Sequence, residues 1–396
     1  MSRPAAEATA LGGDGVNLLR IPIRIIVWFF VIYSALSCDD ASKPAPPPPQ
    51  PVGKQLPVLT RWPVVLTDEL APEAVRHLAV SEDGSFAYPP GFRSEEPFVR
   101  WIDTSGRSVA EIGRKGHGPG ELVGVDYLQF GSGQLYVVDY EQARVVRFDA
   151  TGRPERTEAI WPAGRVLRLQ GDSIDFFVPA GRDAGSIVRA RLGDRSGGRT
   201  LLAARDTFLQ AVLRRRGEYA REGPPYAANG RQIVIADPLS YELVYYTADG
   251  QRGPATSRRI PYRRHTEREL AHQRSALERL TRGGFRGPGG QRLTLPSAKQ
   301  RLDTLENEVL PHFGRRGLQF DAGGRLWVIG EANDSTFVDV FADTSFLGRQ
   351  TLPCTGFRRA LSMKGGWLGL ICDTPESADG LPEVQLYRVT FDETGQ

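Results

Sequence analysis

The dominant pattern along the chain is a set of short runs in which apolar and polar residues alternate, separated by turns that contain Gly and Asp. Such runs are typical of half-buried β-strands. One segment recurs: an apolar strand, a turn, a second apolar strand, and a third strand that ends in another Asp/Gly turn. The clearest copies span residues 77–106, 127–152 and 317–345, and weaker copies span residues 166–197, 226–250 and 359–395.

The six copies keep a common register. Taking the last apolar residue of the first strand as an anchor gives Val80, Phe130, Leu169, Ala228, Phe320 and Leu361. The second strand begins five or six residues later in every copy, at Phe86, Leu135, Ile174, Ile233, Leu326 and Trp367. Repeats of this size predict radial stacking of small sheets, which leaves only short, protected edges. We therefore predict an all-β fold, a six-bladed β-propeller of four-stranded blades.

The last copy shows three strands before the chain ends. The missing fourth strand is predicted at residues 62–67 (WPVVLT), just before the first copy. An N-terminal strand in the C-terminal blade closes the ring, so the pattern predicts one propeller over residues 58–396.

Residues 258–316 interrupt the β pattern between the fourth and fifth copies. Thr266 and Glu269 have the spacing of a capping box, and leucines follow at helical intervals. Ser297 and Gln300 open a second helical pattern that reaches residue 313. We predict a helical hairpin inserted between blades four and five.

The insertion is strongly basic. It contains 14 Lys and Arg against 6 Asp and Glu, a net charge of +8, whereas the whole chain has a net charge of +3. One interpretation is an electropositive lid for an anionic partner, such as lipid head groups, an acidic glycan or a protein. The other is a solvated helix face in an Arg-rich chain. The low net charge of the whole chain argues against a nucleic-acid binder.

The N-terminal residues predict export and anchoring. Residues 25–36 form an apolar stretch of twelve residues, too short to span a bilayer but suited to a signal-peptide core. Ala35-Leu36-Ser37-Cys38 is similar to a bacterial lipobox, so residues 1–37 are predicted to be a lipoprotein signal peptide and Cys38 the lipidated residue. The alternative is a plain membrane anchor or an uncleaved signal. Residues 38–57 are Pro-rich and predict a semi-rigid linker.

These features together predict a protein of the cell envelope, attached to a membrane by its lipid and facing the periplasm or the exterior.

Residues 112–122 (IGRKGHGPGEL), followed by the copy at 127–152, carry a resemblance to a known group. The run resembles the GxGPGEF-type segment of bacterial six-bladed β-propellers of the NHL-like and TolB-like group, with Leu122 where an aromatic residue is usual. The resemblance implies the propeller fold and the lipoprotein signal. It implies no particular reaction.

Propellers of this kind bind ligands at the mouth of the central channel, which the starts of the innermost strands line. Four residues before the anchors stand Arg76, Asp126, Arg165, Pro224, Arg316 and Phe357, with His77 and Arg358 beside them. Three of the six are Arg, and guanidinium groups bind carboxylates and phosphates through paired hydrogen bonds. We predict a ligand site formed by Arg76, His77, Asp126, Arg165, Arg316 and Arg358 for an anionic small ligand or a protein partner.

No catalytic group stands out. His77 and His117 lack metal-ligand spacing, and the Gly-rich run lacks the order of a phosphate loop. Asp139 and Asp237 recur with the repeat, which favours turn capping over calcium binding. We therefore assign no catalytic residue, metal or cofactor, and favour a binding or scaffold module. The alternative is a propeller hydrolase or lyase, with or without a metal, acting at the channel mouth.

Cys354 and Cys372 remain after the lipidated cysteine. A hairpin that turns near Lys364 would place them roughly opposite each other. An oxidising compartment favours a disulfide between them. The alternative is a pair of buried thiols.

Overall fold

The computed structural model describes residues 56–64, 77–89, 99–160, 164–180, 184–215, 219–283, 285–286, 292–293, 305–332, 335–354, 361–373 and 382–391. The predicted signal peptide, Cys38 and nearly all of the linker lie outside these residues, as do Arg76, Phe357 and Arg358. Within the described part of the chain, no helix combines the length and the apolar character needed to cross a membrane.

The chain forms six four-stranded antiparallel sheets, and each sheet is one blade. Blade one contains β2 (Ala79–Val80), β3 (Phe86–Tyr88), β4 (Val99–Ile102) and β5 (Ser108–Ile112). Blade two contains β6 (Tyr127–Gly131), β7 (Gln134–Asp139), β8 (Arg144–Phe148) and β9 (Pro154–Ala159). Blade three contains β10 (Arg165–Gln170), β11 (Ser173–Pro179), β12 (Gly185–Arg191) and β13 (Arg199–Leu202).

The remaining blades follow the same order. Blade four contains β14 (Tyr226–Ala228), β15 (Gln232–Asp237), β16 (Glu242–Thr247) and β17 (Arg252–Ser257). A small hairpin, β18 (Phe285–Arg286) and β19 (Arg292–Leu293), precedes blade five. Blade five contains β20 (Leu318–Phe320), β21 (Leu326–Ala332), β22 (Ser335–Ala342) and β23 (Ser345–Leu352). Blade six contains β24 (Leu361–Lys364), β25 (Trp367–Asp373), β26 (Pro382–Thr390) and β1 (Val58–Trp62).

The innermost strands form a ring. β2, β6, β10, β14, β20 and β24 each contact the next, and β24 contacts β2. In blade six, β1 pairs antiparallel with β26, from Val58 opposite Thr390 to Trp62 opposite Leu386. This outer strand lies earlier in the chain than residues 62–67, where the sequence predicted it. The arrangement is a six-bladed β-propeller.

The predicted register holds in the first five blades. The anchor pairs directly with the predicted first residue of the second strand, as in Val80 with Phe86 and Phe130 with Leu135. In blade six the second strand also begins at the predicted residue, Trp367, but it pairs with Lys364, because the first strand β24 continues three residues beyond the anchor Leu361. Consecutive glycines at 365 and 366 form the two-residue turn between the strands, with φ angles of 57° and 77°.

The apolar core lies between neighbouring blades. One cluster joins Trp101 of blade one to Phe130 and Leu135 of blade two, and the Trp101 and Phe130 rings meet edge to face at 4.8 Å. Both faces of a blade are therefore buried, which accounts for the fully buried second strands. This stacking fixes the innermost strands around the channel.

Two insertions carry the helices. Helices α1 (Thr207–Arg215) and α2 (Tyr219–Glu222) lie between blades three and four, where the sequence predicted none. Leu209 and Leu213 of α1 are fully buried in the cluster between these blades. Helix α3 (Glu267–Gly283) lies between blades four and five.

The capping box of α3 is formed as predicted. Thr266 N–H donates to the Glu269 carboxylate at 2.8 Å, and Glu269 N–H donates to the Thr266 hydroxyl at 3.2 Å. The second helical pattern was wrong in its C-terminal part. Leu305–Asn307 form a 3-10 turn, and Leu310 makes an isolated bridge with Arg263. The start of that pattern, residues 297–304, lies outside the described residues.

Cys354 and Cys372 form a disulfide. The geometry differs from the predicted hairpin, because Cys354 follows β23 of blade five whereas Cys372 lies in β25 of blade six. The bond therefore joins two blades, and both cysteines are fully buried.

Candidate functional site

All six innermost strands begin at the same end of the central channel. Because the strands alternate in direction, the connections between blades and the turns after each second strand lie on this same face. We call this end the mouth face. His77, Asp126, Arg165 and Arg316 precede β2, β6, β10 and β20, so the structure places these predicted residues there.

Arg316 joins three blades across the mouth face. Its Nη2 lies 2.8 Å from Nδ1 of His77 in blade one and donates to the carbonyl oxygen of Asp126 at 3.3 Å. Its guanidinium lies over the ring of Tyr127, 5.1 Å from the centroid. A side chain from blade five thus reaches blades one and two.

The charge of Arg316 is poorly compensated. Among the described residues it forms no ion pair, and the residue is half-buried. Burial, followed by the neighbouring charge of Arg315, lowers the pKa of Arg316 to about 10. A partly buried guanidinium without a carboxylate partner is unfavourable for the protein alone and attracts an anion.

Arg165 and Tyr140 form the adjoining part of the mouth face. The exposed Arg165 guanidinium lies 4.7 Å from the centroid of the Tyr140 ring. The Val166 N–H donates to the Tyr140 hydroxyl, and burial raises the pKa of Tyr140 to about 12. Arg165 forms no ion pair within the part of the chain that the structure describes. Its planar group is held by stacking and stays accessible.

Asp126 is the carboxylate nearest to these cations. Its Oδ2 accepts a hydrogen bond of 2.9 Å from the Tyr140 N–H. Burial raises its pKa, and this effect outweighs the opposing effects of the Tyr140 N–H and Arg165. Asp126 therefore acts mainly in positioning the Tyr140 backbone, and its charge compensates Arg165 only partly.

Arg315 is tied to α2. Its Nη1 donates to the Glu222 carbonyl at 2.6 Å, and its Nε lies 3.8 Å from the exposed Glu222 carboxylate. Of the arginines at positions 165, 315 and 316, only Arg315 has a described carboxylate within ion-pair distance.

A lysine lies at the opposite end of the channel. Lys364, the last residue of β24, donates from Nζ to the carbonyl oxygen of Phe130 at 2.6 Å, and Glu82 lies 3.8 Å away. Burial lowers the pKa of Lys364. The channel thus has a cation bound to backbone carbonyl groups at each end.

Sequence reasoning missed Tyr127, Tyr140 and Arg315. Tyr127 and Arg315 stand next to predicted positions, and Tyr140 directly follows the repeated Asp139. No pattern within a single repeat could have found them, because each contacts a residue of another blade or of α2.

The other candidates have structural roles. His117 is exposed on a loop, where its carbonyl oxygen lies 3.5 Å from Nη1 of Arg144. In the Gly-rich segment, the Gly118 N–H donates to the Glu121 carboxylate at 2.8 Å, which forms a compact turn.

Asp139 and Asp237 hold turns. Asp139 accepts from the N–H groups of Val123 and Gln142, and Asp237 accepts from the Leu239 N–H. Among the residues that the structure describes, no three His, Cys, Asp or Glu side chains are grouped to hold a metal ion.

Much of the insertion's positive charge is paired within the protein. Arg258 contacts Asp339 at 2.5 Å, and Arg263 contacts Glu331 at 2.7 Å. Arg274 contacts Glu306 at 2.6 Å near the protein surface. The first two pairs hold the insertion against blade five, and the third lies within the insertion, so its sequence charge overstates the charge available to a partner.

The blades and the channel define the protein as a six-bladed β-propeller. No protein-family model matches the chain, and no curated protein matches it in sequence.

Several solved structures are similar in fold. A member of the DUF4221 family from Bacteroides vulgatus is 11% identical, with a TM-score of 0.48 over 86% of this chain and 100% of that chain. Regucalcin, a calcium-binding protein from Agrobacterium tumefaciens, is 11% identical, with a TM-score of 0.40 over 83% and 96%. Virginiamycin B lyase from Staphylococcus aureus is 11% identical, with a TM-score of 0.37 over 85% and 100%. Structural similarities this low do not indicate a function.

Proposed function

We propose that this propeller is a binding module of the cell envelope, and that its channel mouth binds an anionic group of a small ligand or a partner protein. The observation that carries the proposal is Arg316, a half-buried residue at the mouth whose guanidinium has no ion-pair partner among the described residues. Retaining such a group lowers the stability of the free protein, and a bound anion offsets that cost.

The neighbouring side chains support this role. Tyr127 and Tyr140 hold the guanidinium planes of Arg316 and Arg165 by stacking, which orients their N–H groups before a ligand arrives. Oriented guanidinium groups bind carboxylate and phosphate oxygens through two parallel hydrogen bonds. Arg76 and Arg358, which the sequence places beside the same positions, are proposed as further members of the site.

The proposed location rests on the sequence. The signal at residues 1–37, the predicted lipidation of Cys38 and the Pro-rich linker favour a propeller held on a membrane and facing the periplasm or the exterior. We expect Cys38→Ala to move the protein from the detergent phase to the aqueous phase in detergent partitioning. Retention of the variant in the detergent phase would favour a plain membrane anchor instead.

The binding proposal is tested by titrating residues 39–396 with potassium sulfate at pH 7 and constant ionic strength in a calorimeter. We expect sulfate to bind to the native protein and Arg316→Gln to weaken binding about tenfold or more, because a hydrogen bond to a charged group contributes about 1.5–3 kcal/mol. Arg165→Gln is expected to weaken binding as well.

The matched control is Arg199→Gln. Arg199 pairs with Asp249 at 2.7 Å, and both side chains are exposed on the face opposite the mouth. This variant should bind sulfate as the native protein does. The proposal fails if the native protein does not bind sulfate, or if Arg316→Gln and Arg199→Gln bind it equally well.

A further inference from the structure

The contact between Arg316 and His77 constrains the protonation of the imidazole ring. A guanidinium group has only donors, so Nδ1 of His77, 2.8 Å from Nη2 of Arg316, must accept the hydrogen bond. Nδ1 then carries a lone pair, and the His77 ring is neutral while the contact exists. Protonation of Nδ1 requires Arg316 to withdraw.

The charged groups around His77 also oppose its protonation. Arg316 and Arg315 lie on the segment before β20, and Arg165 lies before β10. Asp126, whose carbonyl oxygen shares the Arg316 guanidinium with His77, and Glu222 of α2 carry the opposing charges. Tyr127 and Tyr140 also lie in the described part of this cluster, and both remain neutral because burial raises the pKa of each.

An anion bound between Arg316 and His77 allows the His77 ring to be protonated. An oxygen of the anion accepts the N–H of Arg316 that now points at His77. Nδ1 of His77 can then take up a proton from the solvent, and the resulting imidazolium donates a hydrogen bond to another oxygen of the same anion. The anion raises the pKa of His77, since it stabilises the charged form of the ring.

We propose that the channel mouth binds a doubly charged oxyanion, a sulfate or phosphate group, and that binding is coupled to the uptake of one proton by His77. This inference rests on the proposed function, because it assigns the ligand class and the regulation of the same site. Binding is therefore tighter at lower pH.

The charge of the ligand follows from the same contact. The guanidinium of Arg316 and the imidazolium of His77 present two adjacent positive charges, which a dianion neutralises. A singly charged oxyanion neutralises one of these two charges and leaves the other uncompensated. Such an anion binds to Arg316 without protonation of His77, and its affinity does not follow the titration of this ring.

The test uses residues 39–396 and potassium sulfate between pH 6 and pH 8, where sulfate keeps its charge of −2. We expect the sulfate affinity to rise by up to about tenfold for each pH unit by which the pH falls between the free and bound pKa values of His77. Calorimetry at pH 7 in buffers with different ionisation enthalpies should show uptake of up to one proton per sulfate. Potassium nitrate, a singly charged oxyanion, should show no proton uptake.

The variant His77→Gln separates proton uptake from anion binding. The amide oxygen of Gln can accept the N–H of Arg316, so sulfate should still bind at pH 8, but its affinity should not change with pH. The buffer experiment on the native protein gives the same answer independently of whether this variant folds. Methyl phosphate, a phosphate ester that is doubly charged at pH 8, should bind to the native protein as sulfate does and should bind more weakly to Arg316→Gln.

The outcomes separate the two proposals. Sulfate binding that is independent of pH, or a pH dependence that persists in His77→Gln, overturns the proton coupling and leaves the binding function standing. Proton uptake with nitrate equal to that with sulfate overturns the assignment to a dianion. Absence of sulfate binding to the native protein, or full binding to Arg316→Gln, overturns the binding function itself.

Discussion

At the scale of single residues, a buried carboxylate links two blades. Asp339 in β22 is fully buried, and it accepts hydrogen bonds from the Tyr241 hydroxyl at 2.5 Å and from Arg349 at 2.6 and 2.8 Å. Arg258, which follows β17, contacts it at 2.5 Å. Burial raises the pKa of Tyr241 well above its usual value, and the charge of Asp339 adds to this effect. Tyr241 and Arg258 come from blade four, so one carboxylate holds blades four and five together.

We expect Asp339→Asn to lower the free energy of unfolding by about 1.5–3 kcal/mol, the contribution of hydrogen bonds to a charged group, because the partly exposed guanidinium groups of Arg258 and Arg349 lose their counter-charge. Urea unfolding followed by tryptophan fluorescence measures the change.

The control is Asp249→Asn, which breaks the exposed pair with Arg199 and should change the free energy of unfolding by about 0–1 kcal/mol. Equal effects of the two substitutions would show that the buried cluster does not stabilise the fold.

Only part of the candidate site could be predicted from the sequence. The repeat pattern placed His77, Asp126, Arg165 and Arg316 at the start of innermost strands. It could do so because the register of the repeats follows from the local alternation of apolar and polar residues. The acceptor role of His77 and the stacking on Tyr127 could not be predicted. They depend on distances across the channel, which sequence spacing does not determine.

At the scale of elements, the hairpins were the most predictable parts. In five blades a direct cross-strand pair joins the predicted positions. In blade six the anchor Leu361 pairs with Leu370, because the first strand continues to Lys364 before the turn. The helical pattern that reaches residue 313 failed near its end, where Leu310 pairs with Arg263 and His312 N–H donates to Pro238 O at 2.9 Å. There tertiary contacts outweigh helical periodicity.

The disulfide connects two elements that are not hydrogen-bonded to each other. It joins the residue after β23 to β25 with a sequence separation of 18 residues. We expect the double substitution Cys354→Ala and Cys372→Ala to lower the free energy of unfolding by about 3 kcal/mol, because the unfolded chain loses a constraint on a loop of this length. Urea unfolding under oxidising conditions measures the change.

Reduction supplies the control. A reductant in the urea titration should bring the native protein to the unfolding midpoint of the double variant and should leave the double variant unchanged. An identical midpoint for both oxidised proteins would mean that the bond contributes no stability.

At the scale of the whole molecule, residues from several blades of the ring together form the channel mouth. Blade one supplies His77, blade two supplies Tyr127 and Tyr140, and the segments before blades three and five supply Arg165 and Arg316. No blade contains the site alone. Relative movement of blades one and five would change the distance between His77 and Arg316, so the stability of the ring and the geometry of the mouth are coupled.

The pairing of β1 with β26 also determines an order of events. A chain synthesised from its N-terminus delivers β1 first and its partner β26 last. During that interval β1 has no strand to pair with, while blades one to five can form from neighbouring segments. Contacts between such distant segments form slowly, because a long loop must close first. We therefore expect the capture of the first strand by the last to be a late step of folding.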